Sequence, residues 1–513
     1  MMLPEPATGS ILARTARGAG WVMAWRMLTR VLGLCSTLVL VRLLSPADFG
    51  LVALATAFAL ALDVCLAIGI EDQIVRAQAP RPALYHTAFT MNLLRCLAVA
   101  GVIGLCAEPA AAFFGDSRLQ DVLWALAASA ALSGATNIGV ADFRRQLSFE
   151  REFQLQLLPR LVGIAVTLGA AWWLHSHWAL VLGILANRFG IVLMSHALHP
   201  YRPRLSLEAW RELIGVSCWS WMISLATVLR DRADSLVVGR MLGPAPLGIY
   251  AVGVEVAVLP TTEIVDPICR ACMPGFAATL RGGGNAALAD AWLRVMALMA
   301  VLTLPAGTGA SLVAGPVVAL AFGQAWMEAV PVITILGLAC TVTLFGNVSG
   351  ALLSARTALR TILGITLGAA VLRITLLLLL TPWLGLPGAG LAIGLAVVLE
   401  HLALVTAVLR LLHVPARRLL ACIHRPALAT AAMALLLWLL GLGWAPPPTN
   451  AAAAMHSLLV AIPLGMASFA LTLWLLWRGT GSPAGAEADL LGVLRGALGR
   501  AGAWRPRHAL RGS

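Results

Sequence analysis

Apolar stretches of about twenty residues follow one another along the whole chain, and this constrains its fold more than any motif, because a helix crossing a bilayer needs about 20 apolar residues. They run over 21–41, 50–70, 86–107, 121–141, 155–174 and 178–199. Past a polar stretch from His199 to Glu212 they resume over 213–238, 247–268, 291–318, 329–354, 361–381, 387–412, 424–444 and 452–477. The pattern predicts an all-α polytopic membrane protein of about 14 helices. Of the 513 residues 60% are hydrophobic and 12% charged, about half the charge of a soluble domain. A soluble enzyme, a secreted disulfide scaffold and a disordered chain are thereby excluded. The nine Cys lie mostly inside apolar segments, where a thiol behaves as a small hydrophobe. The first run, Trp21 to Val41, carries Arg26 and Arg30 and lacks a small-residue cleavage site, so we expect a span rather than a cleaved signal peptide.

Charge sets the expected orientation. The net charge is +13, and all 36 basic residues are arginines. With the N-terminus placed in the cytoplasm, 24 arginines fall in inner loops and tails and three, Arg42, Arg118 and Arg240, in outer loops. An error of one span would scramble that asymmetry, so an even helix count and two cytoplasmic termini are expected. The expected organisation is a tail (1–20), a first six-helix lobe (21–199), a connection (200–212), a second six-helix lobe (213–412), two additional helices (413–477) and a basic tail (478–513). Within the last, Ala486 to Leu498 is amphipathic and suited to an anionic membrane surface. The charge excess belongs to these loops, and no nucleic-acid partner is expected.

The chain also repeats itself. Leu38 to Ala53 (LVLVRLLSPADFGLVA) aligns without gaps on Leu236 to Ala251 (LVVGRMLGPAPLGIYA), with eight identities in 16 positions at an offset of 198. Arg42, Pro46 and Gly50 fall on Arg240, Pro244 and Gly248. Both copies join an odd to an even helix, six helices apart, so the halves insert in parallel, and parallel repeats place a substrate site at their interface. By itself each loop reads as a Pro/Gly turn with an arginine anchored at headgroup level.

These residues, Arg42 to Gly50, Asp234 to Arg240, Leu242-Gly243, Leu247-Gly248, Tyr250 and the segment Pro274 to Ala277, resemble the oligosaccharide flippase branch of the multidrug/oligosaccharidyl-lipid/polysaccharide exporter superfamily. The resemblance implies two parallel six-helix lobes around a central cavity, with two additional C-terminal helices. It implies movement of undecaprenyl-diphosphate-linked sugar units to the periplasmic leaflet of a bacterial inner membrane, for O-antigen, capsule or exopolysaccharide. Lipid-linked oligosaccharide, membrane lipids and other polysaccharide-assembly proteins are the partners it implies.

Nine arginines fall inside expected spans: 26, 30, 95, 160, 188, 230, 232, 294 and 373. Each costs at least about 2.5–3.5 kcal/mol at the bilayer centre, so they should line a cavity or pair with acids. Arg26 and Arg30 share a helix face, and with Arg230, Arg232 and Arg294 they are the candidates for a diphosphate, since a guanidinium donates two parallel hydrogen bonds to phosphate. Arg230 and Asp234 are spaced for a local ion pair. Asp63, Asp234, Glu255 and Glu263 are the candidate coupling or counter-ion carboxylates. Asp63 is expected to neutralise Arg26 or Arg30, and Glu255 to carry a coupling ion.

No metal or cofactor is expected: Cys269 and Cys272 form a lone CxxC, His175 and His177 lack a third ligand, and no GxxxxGK[ST] loop occurs. A drug or cation antiporter should carry an acidic cavity rather than nine arginines. A membrane polymerase or ligase needs catalytic groups in a long outer loop. A transporter, not an enzyme, is therefore expected, driven by an ion gradient or the membrane potential.

Overall fold

The computed structural model describes residues 28–66, 69–76, 81–146, 148–213, 218–446, 448 and 450–481, and every regular element among them is a helix. Arg26 and the 486–498 stretch lie outside the described residues, as does the side chain of Glu263. The first half holds α1 (28–43), α2 (Pro46–Cys65), α3 (Ile70–Arg76), α4 (Pro82–Phe114), α5 (Arg118–Gly134), α6 (Ala141–Arg145), α7 (Phe149–Leu174) and α8 (Trp178–Leu198). The second holds α9 (Trp210–Leu213), α10 (Cys218–Leu242), α11 (Pro244–Leu312), α12 (Ala314–Ala321), α13 (Ala329–Ala355), α14 (Leu359–Leu412), α15 (Ala416–Leu439) and α16 (Ala451–Gly479).

Ten helical segments among the described residues are long and apolar enough to cross a membrane, two of them (Pro244–Thr261 and Cys272–Leu312) within α11, or up to 11 if α5 and α6, bent by 69° at Ala135–Asn137, form one span. That is fewer than the expected fourteen, for local reasons. The helix α14 counts once, yet at about 1.5 Å per residue its 54 residues would extend about 81 Å against about 30 Å of hydrocarbon. It breaks at Gly385, whose φ of 61° and ψ of −136° interrupt the helix. Only 28–41 of the first span is described. The helix α10 carries Arg230, Asp231, Arg232, Asp234 and Arg240 and is too charged to pass on composition.

The described chain forms two compact units, the first of Met1–Ala251, Ala321–Trp326 and Arg373–Leu386, the second of Val252–Leu320, Met327–Leu372 and Pro387–Ser513. In the second unit a dry core is built on Trp292, Met296, Leu344, Val348, Leu352 and Val408, from α11, α13 and α14. Hydrocarbon gives helices no hydrophobic reason to associate, so close backbone packing takes over. Gly307 and Gly337 bring α11 and α13 together so closely that a Cβ on either would press on the other's carbonyl oxygen. The last helix pair packs on Leu312 and Val313 through Met433, Leu437 and Ala461.

At the expected cytoplasmic end of the first unit, Tyr85, Phe89, Ile138, Ala209 and Leu213 form a small core that ties down the 199–213 connection. The connection lacks helix over most of its length, so its amides need other acceptors. Thr87 Oγ1 accepts from Ala209 N, Thr90 Oγ1 from Ser206 N, and His86 Nδ1 from Arg204 N at 3.2 Å. The Tyr201 hydroxyl, whose pKa burial pushes up to about 12, lies 2.7 Å from the same His86 nitrogen. Asn137 donates to the Tyr201 carbonyl at 2.8 Å. Beneath them the Asp142 carboxylate accepts from Tyr85 at 2.6 Å and pairs with Arg145 at 3.1 Å and His199 at 3.6 Å.

Burial works against the Asp142 charge, yet the hydrogen bonds from His199 and Tyr85 and the nearby Arg145 hold its pKa below the usual carboxylate range. A depressed carboxylate stabilises the fold above the unfolded pKa, about 3.9, and that stabilisation disappears as the pH falls through the folded value. The expected outcome is an acid-side loss of melting temperature that Asp142→Asn removes, at the cost of a lower melting temperature at pH 7; melting curves of both proteins between pH 3 and 7 check it.

Candidate functional site

The two copies of the duplicated segment meet. Each begins a helix in the same way, with Pro46 or Pro244 at the first helical position, where a missing N–H costs nothing. The first copy is closed by Ser45, which accepts from Asp48 N while the Asp48 carboxylate accepts from Ser45 N, at 3.3 and 3.1 Å. The second is preceded by Gly243 at φ 86°, the left-handed stop of α10. The first turns of α2 and α11 then lie against each other, glycine to glycine. A Cβ on Gly50 would strike the Pro244 carbonyl and sit 2.8 Å from Gly248 N; one on Gly248 would strike the Pro46 carbonyl and sit 2.9 Å from Gly50 N. The reciprocity is that of a two-fold relation between the copies.

The arginines of the two copies are held differently. Arg42 Nε donates to the Ala321 carbonyl at 3.3 Å, and Trp326, whose indole N–H donates to Val41 O at 3.2 Å, stacks edge-on against Phe49. Arg240 is exposed and lies 5.1 Å above the Phe113 ring.

Four residues of the charged half of α10 and its surroundings form one buried network. Asp234 accepts from the Tyr250 hydroxyl at 2.7 Å and from Arg373 Nη2 at 3.2 Å. Arg373 Nη1 also donates to the Arg230 carbonyl at 3.1 Å. Asp234, Tyr250 and Arg373 are 6%, 1% and 9% exposed, and at this burial a lost partner leaves a charge in a low-dielectric interior. Asp234 is therefore neutralised by Arg373 from α14, and the local pairing with Arg230 that the spacing allowed is not made. Arg230 pairs instead with its neighbour Asp231 at 2.8 Å. Sequence placed Arg373 among the buried arginines without a partner, because no spacing rule connects residues 139 positions apart.

The remaining candidates divide by whether their charge is already met. Asp63, in the last turn of α2, pairs with Arg95 at 2.6 Å rather than with Arg30, and Arg95 is 32 residues away on α4. Arg30 is partly buried on α1. Arg232, partly buried, and Arg294, exposed, have no carboxylate partner among the described residues. Glu255 is partly buried in α11 and likewise has no ion-pair partner among them. No group of three or more His, Cys, Asp or Glu among the described residues is arranged to hold a metal ion.

The model of a family described as polysaccharide biosynthesis protein matches residues 39–331, and the chain belongs to that family. It is 23% identical over 351 residues to the lipopolysaccharide biosynthesis protein WzxC of Escherichia coli (strain K12), covering 68% of this chain and 71% of the relative. It is 23% identical over 341 residues to the succinoglycan biosynthesis transport protein ExoT of Rhizobium meliloti (strain 1021), covering 64% of this chain and 67% of the relative. Among solved structures, the lipid II flippase MurJ in an inward closed conformation superposes with a TM-score of 0.67 at 12% identity, over 89% of this chain and 98% of that one. An inward-facing multidrug resistance transporter of the MATE family gives 0.62 at 15% identity, over 75% and 94%. The fold is that of the MATE and MurJ transporters, and the protein is a multi-pass membrane protein of polysaccharide biosynthesis.

Two outcomes follow from the geometry. Gly50→Ala and Gly248→Ala each drive a methyl into backbone and should destabilise the protein by about 1–3 kcal/mol, whereas Gly368→Ala, on a helix face with nothing within 4 Å, should leave the melting temperature unchanged or raise it. Asp234→Asn should cost about 3–5 kcal/mol by stranding the Arg373 charge, and combining it with Arg373→Met should restore part of the loss; thermal unfolding of the purified single and double variants measures both effects.

Proposed function

We propose that the protein flips a lipid-linked oligosaccharide, the sugar unit carried on undecaprenyl diphosphate, from the cytoplasmic to the periplasmic leaflet of a bacterial inner membrane. It acts by alternating access of two parallel repeats, and it is a transporter rather than an enzyme. The observation that carries this reading is the pair of repeat copies packed glycine on glycine through Pro46–Gly50 and Pro244–Gly248, since parallel repeats are how such transporters build a site that opens to each side in turn. Membership of the polysaccharide biosynthesis family, and relatives named for lipopolysaccharide biosynthesis, succinoglycan transport and lipid II flipping, support the substrate class.

The proposed architecture keeps fourteen spans, in lobes 21–199 and 213–412 with additional helices over 413–477. Both termini are cytoplasmic, on the strength of 24 inner against three outer arginines. The diphosphate is bound by arginines of the expected spans: Arg232 and Arg294, which have no carboxylate partner among the described residues, together with Arg26 and Arg30. Arg230 contributes less, because Asp231 competes for its guanidinium. Among the carboxylates Glu255 is the coupling group, whereas Asp63 and Asp234 serve as counter-ions to Arg95 and Arg373.

Deleting the gene should leave lipid-linked oligosaccharide on the cytoplasmic leaflet. Single units collecting on the periplasmic face would instead indicate a polymerase or ligase. In the complemented strain, Arg232→Ala and Arg30→Ala should each reduce polysaccharide export at least tenfold with normal protein levels, and the lysine variants should recover it only in part, because an ammonium cannot make the bidentate contact. Full export by both alanine variants would remove the arginines from the site.

A further inference from the structure

Inside the first unit, away from the groups considered above for the diphosphate, α4 to α8 enclose a cavity of about 280 Å³. Its polar lining includes three guanidiniums, Arg95, Arg144 and Arg188, the amides of Asn92 and Gln156, and the Glu152 carboxylate. Two of the cations are matched: Arg95 pairs with Asp63 at 2.6 Å and Arg144 with Glu152 at 2.8 Å. The third is not. Arg188 has no carboxylate partner among the described residues, although it stands halfway along the 21-residue helix α8, at the depth where an unmatched charge costs most. The cavity therefore carries one positive charge in excess, with amide donors beside it.

We infer that this cavity binds a carboxylate-bearing ligand of single-sugar size, its carboxylate on the Arg188 guanidinium. The planar fork of an arginine matches the two oxygens of a carboxylate. The cavity is smaller than those that bury drug-sized ligands, about 300–1,000 Å³, and roomier than a bare ion requires. Asn92 and Gln156 supply donors and acceptors for ring hydroxyls, and access is from the side of Arg144, whose side chain is 49% exposed. The carboxylate chemistry stands on the cavity alone; its identification with an acidic sugar of the transported unit rests on the flippase reading.

The test uses the purified full-length protein in detergent, melted in the presence of glucuronate, glucose, formate or chloride at matched ionic strength. Glucuronate should raise the melting temperature saturably by about 2 °C or more, with glucose and chloride inert. Arg188→Gln should abolish the shift and Arg188→Lys should retain a smaller one; should the glutamine variant fail to fold, Asn92→Ala and Gln156→Ala should each weaken the glucuronate response. Chloride acting as well as glucuronate, or a glucuronate shift that survives in every variant, would overturn the site. Formate acting while glucuronate does not would overturn the sugar assignment. Because melting reads binding without transport, and the leaflet experiment reads transport with Arg188 intact, failure of either reading leaves the other separately measurable.

Discussion

Hydrocarbon offers no hydrogen-bond partner to a charge or to a peptide group, and the organisation of this protein depends on that constraint. Backbone groups are met within helices, so the described residues are helical wherever they are regular. Charges have to be met by one another. The Asp234 carboxylate holds Tyr250 from the beginning of α11 and Arg373 from α14, which fixes α10 to the helix that follows it and to one 139 residues away. Asp63 and Arg95 do the same for α2 and α4. The buried Asp234–Arg373 pair is weak evidence for net stability, because desolvation offsets most of the Coulomb attraction, but neither partner can be removed cheaply. The pairs thus specify which helices are neighbours more than they strengthen the packing.

The arginines sort by the same constraint into two classes. Those with a carboxylate partner, Arg95, Arg230 and Arg373, are occupied with holding structure. Those without one among the described residues, Arg188, Arg232 and Arg294, retain a charge that an anionic ligand can meet. A chain that carried arginines only for topology would keep them in its loops, whereas these three fall inside expected spans. Function in a membrane protein of this kind is written in the charges that its own acids leave over.

The duplicated segment shows why a glycine stands at the same place in both copies. A turn needs Pro and Gly only for its own geometry, and that was the reading available from either loop alone. In the folded chain each glycine faces the backbone of the opposite copy, where no side chain fits. Close approach at this point lets two helix starts pack through backbone alone, the contact type that association in lipid favours.

The sequence by itself determined the class of the protein, because twenty-residue apolar runs and a one-sided arginine distribution follow from bilayer thickness and insertion, which act locally on the chain. It also determined the repeat, since an offset of 198 is visible in the letters. Helix ends such as Gly385, and the stop of α10 at Gly243, were legible for the same local reason. The partners were not. Helical spacing finds neighbours only within a turn, so it offered Arg230 for Asp234, and the expectation of Arg26 or Arg30 for Asp63 rested on no spacing rule. The observed partners lie 32 and 139 residues away. The cavity around Arg188 could not be read at all, since it is made by five helices whose juxtaposition no local rule encodes. Which charges are cancelled, and which are left for a ligand, is settled only when helices distant in sequence are packed side by side.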